Sequence, residues 1–306
     1  MNLIDKIALD LKIDASYLSR IAERSNFYYR DYRIRKKNGD DRRISQPSPE
    51  LKTLQYWVVY NILTQLTVSN AAFAYKKGDS IKKHAELHKN AKHILHTDIS
   101  NFFNSIHFEH LYAILRDNKK IFENLGVDFS DSLQDIKSIC FRNNYLCIGA
   151  VSSPIISNAI MYSFDTAVSD YCKINNYTYS RYADDIYISS NSYIEQDILI
   201  FLQEELKKLG LKMNMSKTRF YSPKYRRKIT GIVITNDSQV SIGTERRINI
   251  KKMIYEKLIH NKGDSEQILG YLSFLKDIEP QTYNNLIIKY SQYCEGDIIA
   301  ALRKNN

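Results

Sequence analysis

Glycine is scarce in this 306-residue chain, and the ten present are widely spread: the closest pair, Gly263 and Gly270, is seven residues apart. That spacing excludes both a G-x-G-x-x-G dinucleotide loop and a G-x-x-x-x-G-K phosphate loop. Cysteine is sparser still. Cys140, Cys147, Cys172 and Cys294 form no C-x-x-C pair, so they read as reduced core thiols rather than a zinc site or a disulfide framework. Long hydrophobic runs are missing too. No run exceeds about five residues, as in Ile198-Leu199-Ile200-Phe201-Leu202, far short of the ~20 residues of a membrane-spanning helix. The N-terminus from Met1 to Lys6 carries an acid early and has no apolar stretch followed by small residues, which predicts a cytoplasmic protein without a membrane partner.

What the chain has in excess is positive charge and tyrosine. Lysine and arginine number 44 against 34 acids, a net charge of +10, and there are 23 tyrosines. Cationic surface combined with flat, hydrogen-bonding rings suits a polyanion whose bases can stack. Charge alone serves solubility equally well, so the pattern along the chain has to decide. Apolar residues at 43% and charged residues at 25% describe a folded chain large enough for a sizeable core.

Ile4, Ile7, Leu11, Leu18 and Ile21 recur at helical spacing. Alternation then begins at Tyr28, with Asn38-Gly39 as a turn before Arg42-Arg43-Ile44-Ser45, which predicts a basic β-hairpin. Leu51, Leu54, Trp57, Val58 and Leu63 form a buried helical stripe after Pro49. A strand over His93–Thr97 runs into Asp98, and one helix is expected after Pro154, with Ile160, Phe164, Ala167, Val168 and Tyr171 on a single face. The β-rich stretches 177–182 and 186–189 leave only Ala183-Asp184-Asp185 between them, so the acids are expected on a hairpin turn. A helix from Ile194 to Leu206, stopped by Gly210, precedes a strand expected from Leu211. This order is that of a β-α-β-β-α-β layer. Two further helical stripes, Ile250 to Leu258 and Ile268 to Leu275, predict a small C-terminal helical lobe.

The chemistry concentrates in Tyr182-Ala183-Asp184-Asp185 and Asp98. Two carboxylates on a tight hairpin beside a third at a strand end are costly unless divalent cations neutralise them. Two magnesium ions held there would activate a sugar hydroxyl and stabilise a pyrophosphate leaving group. A Tyr-x-Asp-Asp string is weak by itself; an acidic turn such as Asp40-Asp41 is the ordinary alternative.

With that cluster in place, the chain resembles the reverse transcriptases, the bacterial retron enzymes in particular. The strings that carry the resemblance run in order: Arg42-Arg43-Ile44-Ser45-Gln46-Pro47, Leu51-Lys52-Thr53-Leu54-Gln55, Asp98-Ile99-Ser100-Asn101-Phe102-Phe103, Gly149-Ala150-Val151-Ser152-Ser153-Pro154, Arg181-Tyr182-Ala183-Asp184-Asp185 and Asn214-Met215-Ser216-Lys217-Thr218. His84-Ala85-Glu86-Leu87-His88 is similar to the retron N-A-x-x-H signature, and Ile229-Thr230-Gly231 to its V-T-G signature. Two departures stand out: Ile148 occupies the place of the family's frequent glutamine, and His84 that of its asparagine.

The resemblance implies an α+β right-hand polymerase fold with fingers, a ferredoxin-like β-α-β-β-α-β palm and a helical thumb. The expected division is 1–97 for an N-terminal helical extension and part of the fingers, 98–240 for the palm with an inserted fingers segment, and 241–306 for an RNA-binding thumb. It implies catalytic roles for Asp98, Asp184, Asp185 and Lys217, the last acting on the leaving pyrophosphate. The metal set is Asp98, Ile99, Asp184 and Asp185, for two Mg2+ ions. Incoming deoxynucleotides (dNTPs) are expected to meet Arg42, with Arg35 or Lys36 beside it, the ring of Phe103 beneath the sugar, and Gly149. His84, His88, Thr230, Gly231, Arg246, Arg247, Lys251 and Lys252 are expected to bind RNA. The implied partners are a structured noncoding RNA, its single-stranded DNA product and a separate effector protein, within defence against phage. A catalytically silent RNA-binding scaffold and an intron-like reverse transcriptase are the competing readings.

Overall fold

The computed structural model describes residues 1–35, 39–294 and 296–304. Lys36, a nucleotide-binding candidate, and Asn38, the expected turn residue, lie outside the described residues. The chain divides into two compact units, one made of 1–77, 96–188 and 195–219, the other of 78–95, 189–194 and 220–306.

The first unit opens with helices α1 (Leu3–Leu11) and α2 (Ala15–Glu23), the hairpin β1 (Tyr29–Arg35) and β2 (Asp41–Pro47), and α3 (Pro49–Asn61). Each helix starts where its sequence supplies a cap: the side chains of Asn2, Asp14 and Ser48 accept from the amides of Asp5, Tyr17 and Leu51. The expected basic hairpin is present, antiparallel, with Tyr32 opposite Ile44 and Arg35 opposite Asp41. Trp57, only 6% exposed, donates its indole N–H to Asp10 at 3.0 Å and ties α3 to α1.

After α4 (Ile81–Leu87), which belongs to the second unit, come β3 (His93–Asp98), α5 (Phe108–Asp117), α6 (Lys120–Leu125), α7 (Phe129–Cys140), α8 (Ser153–Ile160) and α9 (Tyr162–Ile174). The hairpin β4 (Thr178–Tyr182) and β5 (Asp185–Ser190), helix α10 (Asp197–Lys208) and β6 (Arg219–Tyr221) follow. These strands form one four-stranded sheet in the order β4-β5-β3-β6, the neighbour relations of a β-α-β-β-α-β layer. The two central strands are buried almost throughout, as strands covered on both faces must be.

Three expectations need correction. The single helix after Pro154 is two, because Met161, with ψ near −2°, interrupts the regular ladder between α8 and α9; Ile160, Phe164 and Val168 nevertheless stay buried across the break. Asp185 is the first residue of β5 rather than a turn residue, leaving Ala183 and Asp184 as the turn. No regular strand starts at Leu211. Met213 makes one isolated bridge to Ile99, a 3-10 turn covers Met215–Lys217, and the strand waits until Arg219. Asn214 is the cause, since its side chain takes the Ser216 hydroxyl at 2.7 Å and offers the backbone a local alternative to a ladder.

The second unit continues with β7 (Arg227–Ile229), β8 (Ile232–Ile234) and β9 (Val240–Ser241), a three-stranded antiparallel sheet against which α4 packs. Helices α11 (Thr244–His260), α12 (Ser265–Ile278), α13 (Pro280–Ser291) and α14 (Ile298–Lys304) complete it. The expected helical stripes are its interior: Ile250, Ile254, Ile268, Leu272 and Leu275 are all buried. Among the described residues no helix is long and apolar enough to cross a membrane.

Candidate active site

Backbone hydrogen bonds bring the acid-bearing segments together. The Ile99 amide donates to the Asp184 carbonyl at 3.0 Å, the Asn214 amide to the Asp98 carbonyl at 2.7 Å, and the Ser100 amide to the Lys212 carbonyl at 2.8 Å. The end of β3 is thereby stitched to the hairpin turn on one side and to the Asn214 turn on the other. Asp98, Asp184, Asp185 and Lys217 lie on these joined segments.

Their charges are unevenly compensated. Asp98, 5% exposed, receives the Lys217 ammonium at 2.8 Å on Oδ2 and the Asn214 side-chain amide at 3.2 Å on Oδ1. Asp185 Oδ1 lies 2.7 Å from His96 Nε2, and the imidazole stacks on Tyr187 with ring centroids 4.6 Å apart. Asp184 sits between these pairs. Burial, then repulsion from Asp185 and Asp98, pushes its carboxyl up to about 6 even with Lys217 nearby.

The turn itself is held from beneath. Ala183 occupies the left-handed region with φ 57°, a conformation costing roughly 1–2 kcal/mol for a residue with a Cβ. Arg181, wholly buried, donates from Nη1 to the Ala183 carbonyl at 2.8 Å. Its Nε and Nη2 grip both oxygens of the equally buried Asp165 at 2.8 Å each, and Tyr179 donates to Asp165 at 2.7 Å. Asn158 Oδ1 takes a further bond from Nη1 at 3.2 Å. This bidentate pair, with its remaining valences filled, has the geometry that makes buried charge tolerable.

Sequence reasoning assigned no role to Arg181, Asp165, Asn158, Tyr179, His96 or Asn214. One signal was available: Asp165 is an acid beside Phe164 in an otherwise apolar helical stripe.

The described nucleotide-binding candidates lie on several elements of the first unit. Arg35 and Arg42 are exposed on β1 and β2, and Phe103 is half-buried beside the buried core ring of Phe102. Gly149 abuts the base of β2: with φ 114°, a Cβ there would stand 2.7 Å from the Ser45 carbonyl oxygen, so only glycine fits. The Ser45 amide donates to the Ile148 carbonyl at 2.8 Å, and Arg142 reaches Ser45 Oγ at 2.9 Å and Asp31 at 2.5 Å. Arg142 and Arg43 hold the Asp31 carboxyl far below the usual carboxylate range. The hairpin is thus anchored to the 142–149 loop.

The RNA-binding candidates lie in the second unit. Thr230 and Gly231, at φ 45° and 84°, form the two-residue turn between β7 and β8, a turn that requires positive φ at both positions. His84 and His88 are fully buried, not solvent-facing; His84 Nδ1 lies 3.3 Å from Thr230 Oγ1 and His88 Nδ1 2.7 Å from Ser189 Oγ. Burial, helped by His84, pushes His88 down to about 3. On α11, Arg247 pairs with Glu279 at 2.8 Å and Arg246 lies over the Phe274 ring at 5.3 Å, while Lys251 and Lys252 are exposed.

Residues 34–234 match the family model for reverse transcriptase (RNA-dependent DNA polymerase), a span that includes Asp98, Asp184 and Asp185. The chain is 32% identical over 284 residues to the Retron Ec83 reverse transcriptase of Escherichia coli, covering 87% of this chain and 88% of that protein. It is 33% identical over 306 residues to the Retron Ec73 reverse transcriptase of the same species, covering 95% of each. The chain belongs to the retron reverse transcriptases. It is therefore an RNA-directed DNA polymerase and has the polymerase fold. Among the described residues of this retron reverse transcriptase, no group of three His, Cys, Asp or Glu side chains is gathered as metal ligands, since Asp98 is turned onto Lys217 and Asp185 onto His96. The donors nevertheless suit a hard divalent cation: they are carboxylate oxygens, and the charge at Asp184 is under-compensated.

Proposed function

We propose that this retron reverse transcriptase copies part of a structured noncoding RNA into branched, multicopy single-stranded DNA, in the cytoplasm, as the polymerase of an antiphage system with a separate effector protein. The observation that carries the catalytic reading is the 3.0 Å bond from the Ile99 amide to the Asp184 carbonyl, which sets the strand-end acid beside the turn acids. Asp98, Asp184 and Asp185, with the backbone oxygen of Ile99, hold two Mg2+ ions. Bound there, the metal supplies Lewis-acid activation of the attacking sugar hydroxyl and charge neutralisation at the leaving pyrophosphate.

The chain's own residues do the rest. Arg42, with Arg35 or Lys36, binds the triphosphate of the incoming dNTP. Phe103 lies beneath its sugar and rejects a 2′-hydroxyl by contact. Gly149 offers backbone alone to the nascent pair, with the apolar Ile148 beside it. Lys217 neutralises or protonates the departing pyrophosphate. The segment 1–97 serves as N-terminal extension and part of the fingers, 98–240 as palm and 241–306 as RNA-binding thumb. Lys251 and Lys252 meet RNA phosphates, Arg246 and Arg247 set the helix that carries them, and His84 and His88 hold the Thr230-Gly231 turn in the shape that faces the stem.

Purification of the full chain from its host, followed by sequencing of the co-purifying nucleic acid before and after debranching, tests this reading. A short DNA joined to one structured RNA is expected. Unbranched or heterogeneous DNA overturns the retron product, and no Mg2+-dependent extension of an annealed primer overturns the catalytic site.

A further inference from the structure

The segment before residue 75 is fastened to the catalytic turn more firmly than a surface loop needs. The Arg181 amide donates to the Ala71 carbonyl at 2.8 Å and the Phe73 amide to the Arg181 carbonyl at 2.9 Å, a parallel bridge between Ala72 and Arg181. Asn158 fixes the next carbonyl, that of Ala74, at 2.9 Å, while its own Oδ1 takes the Arg181 guanidinium. One residue, Arg181, thus positions both this segment by its backbone and the Ala183 carbonyl by its side chain.

Tyr75 is what this scaffold presents. Its backbone sits at φ 62°, a region bulky residues rarely adopt, and the side chain is 52% exposed. Core packing does not explain that strain, because the ring is not in the core. Among the described residues, moreover, its hydroxyl takes part in none of the hydrogen bonds. The charges acting on the phenol include those of Asp184 and Arg42. Strained, exposed side chains held by an over-determined surround are characteristic of ligand contacts.

We propose that Tyr75 is a further nucleotide-binding residue, its hydroxyl donating a hydrogen bond to the triphosphate of the incoming deoxynucleotide. The inference rests on the reading above in which Asp184 holds metal and Arg42 binds triphosphate. Because the segment that carries Tyr75 is bonded to Arg181 and Asn158, and Arg181 also holds the Ala183 carbonyl next to Asp184, this side chain is placed beside the turn at which a metal-bound triphosphate would lie. Phosphate oxygens accept and do not donate, and the phenol matches them, since a tyrosine hydroxyl keeps its proton at neutral pH and donates it.

Steady-state extension of oligo(dT) on poly(rA) by the full chain, with dTTP and Mg2+, tests this. Tyr75→Phe deletes the hydroxyl alone. Tyr75→Gly deletes the ring and relaxes φ, so it preserves the fold. Both are expected to raise the KM for dTTP by about 10-fold, with kcat and primer–template affinity unchanged, the pattern of lost ground-state binding. An unchanged KM in Tyr75→Phe overturns the proposal, as does a loss confined to kcat or to primer–template affinity. Asp184→Ala in the same assay separates the two layers. Wild-type extension by that variant sinks the metal assignment and this inference with it; its inactivity beside a wild-type KM in Tyr75→Phe sinks this inference alone.

Discussion

Among the turns that adopt left-handed backbone, those at Ala183 and Thr230 are held in opposite ways. In the first unit the Ala183 carbonyl is clamped by a full ionic pair, Arg181 with Asp165, neither exposed to water. In the second unit Thr230 is met by a single imidazole, His84, with His88 beside it at a ring distance of 5.7 Å. The ionic clamp fixes direction, because a guanidinium aims its donors along a rigid fork and stays charged at every accessible pH. The imidazole pair depends on pH, because burial and its His84 neighbour push His88 down to about 3 and favour its uncharged form. The turn that carries Asp184 is built on the first device; the turn between β7 and β8 is built on the second.

The comparison breaks first if the clamped turn does no chemistry. Replacing Asp184 and Asp185 together with alanine is expected to cut primer extension by more than about 10³-fold while leaving RNA binding intact, measured by single-turnover incorporation and filter binding. Near-normal extension would remove the reason for so rigid a clamp.

Next in size is the clamp itself. Arg181→Met strands a buried carboxylate and is expected to cost about 3–5 kcal/mol in urea unfolding. Adding Asp165→Leu should restore most of that stability but not activity, since the Ala183 carbonyl is still unheld. Recovery of both would mean the pair serves the core and not the turn.

Acid sharpens the contrast. His88 titrates near 3 in the folded protein, below its ordinary 6.5, so below pH 6.5 the unfolded chain takes the proton first and stability is lost by about 1.4 kcal/mol per pH unit. Asp184 shifts the other way, to about 6 from 3.8; its ionisation penalty is present above pH 6 and is relieved as pH falls through 6 towards 3.8. In metal-free protein, thermal midpoints between pH 7 and 5 should therefore fall less steeply with acid in His88→Gln than in wild type, and more steeply in Asp184→Asn. Identical slopes in all three would contradict the assigned environments.

The smallest effect concerns charge that is not buried. Lys251→Glu with Lys252→Glu should lower the salt slope of cognate RNA binding by about 1 for each phosphate no longer neutralised, with less effect on a generic annealed primer. Arg246 and Arg247 should differ, costing stability instead, because Arg246 lies over Phe274 and Arg247 is paired with Glu279. Equal weakening on both nucleic acids would remove α11 from the RNA-specific surface.

Local pattern made much of this legible. Alternation and an Asn-Gly turn marked the β1–β2 hairpin, and the short gap around Asp184 left room for nothing but a hairpin. The failures lay where a distant partner decides. Periodicity ran straight through Met161 because the buried stripe is continuous across the break. The strand expected at Leu211 yielded to the Asn214 side chain and to the Asp98 carbonyl. Arg181 sat inside a quoted string without a role, since its partner Asp165 lies on a helix and only the fold closes the 2.8 Å gap. Whether His84 and His88 would meet RNA or the core was not legible either: helical spacing places two rings on one face without saying whether that face meets water, and here it is buried.

The lone tryptophan of the chain offers a use of a different kind. Trp57 is the only indole among 306 residues, nearly sequestered, and hydrogen-bonded to Asp10 across the α1–α3 contact. Its emission is a single-site optical gauge of whether the first helix is docked. Red-shifted light from an enzyme whose extension rate is unimpaired would reveal an amino-terminal segment that detaches while the polymerase keeps running.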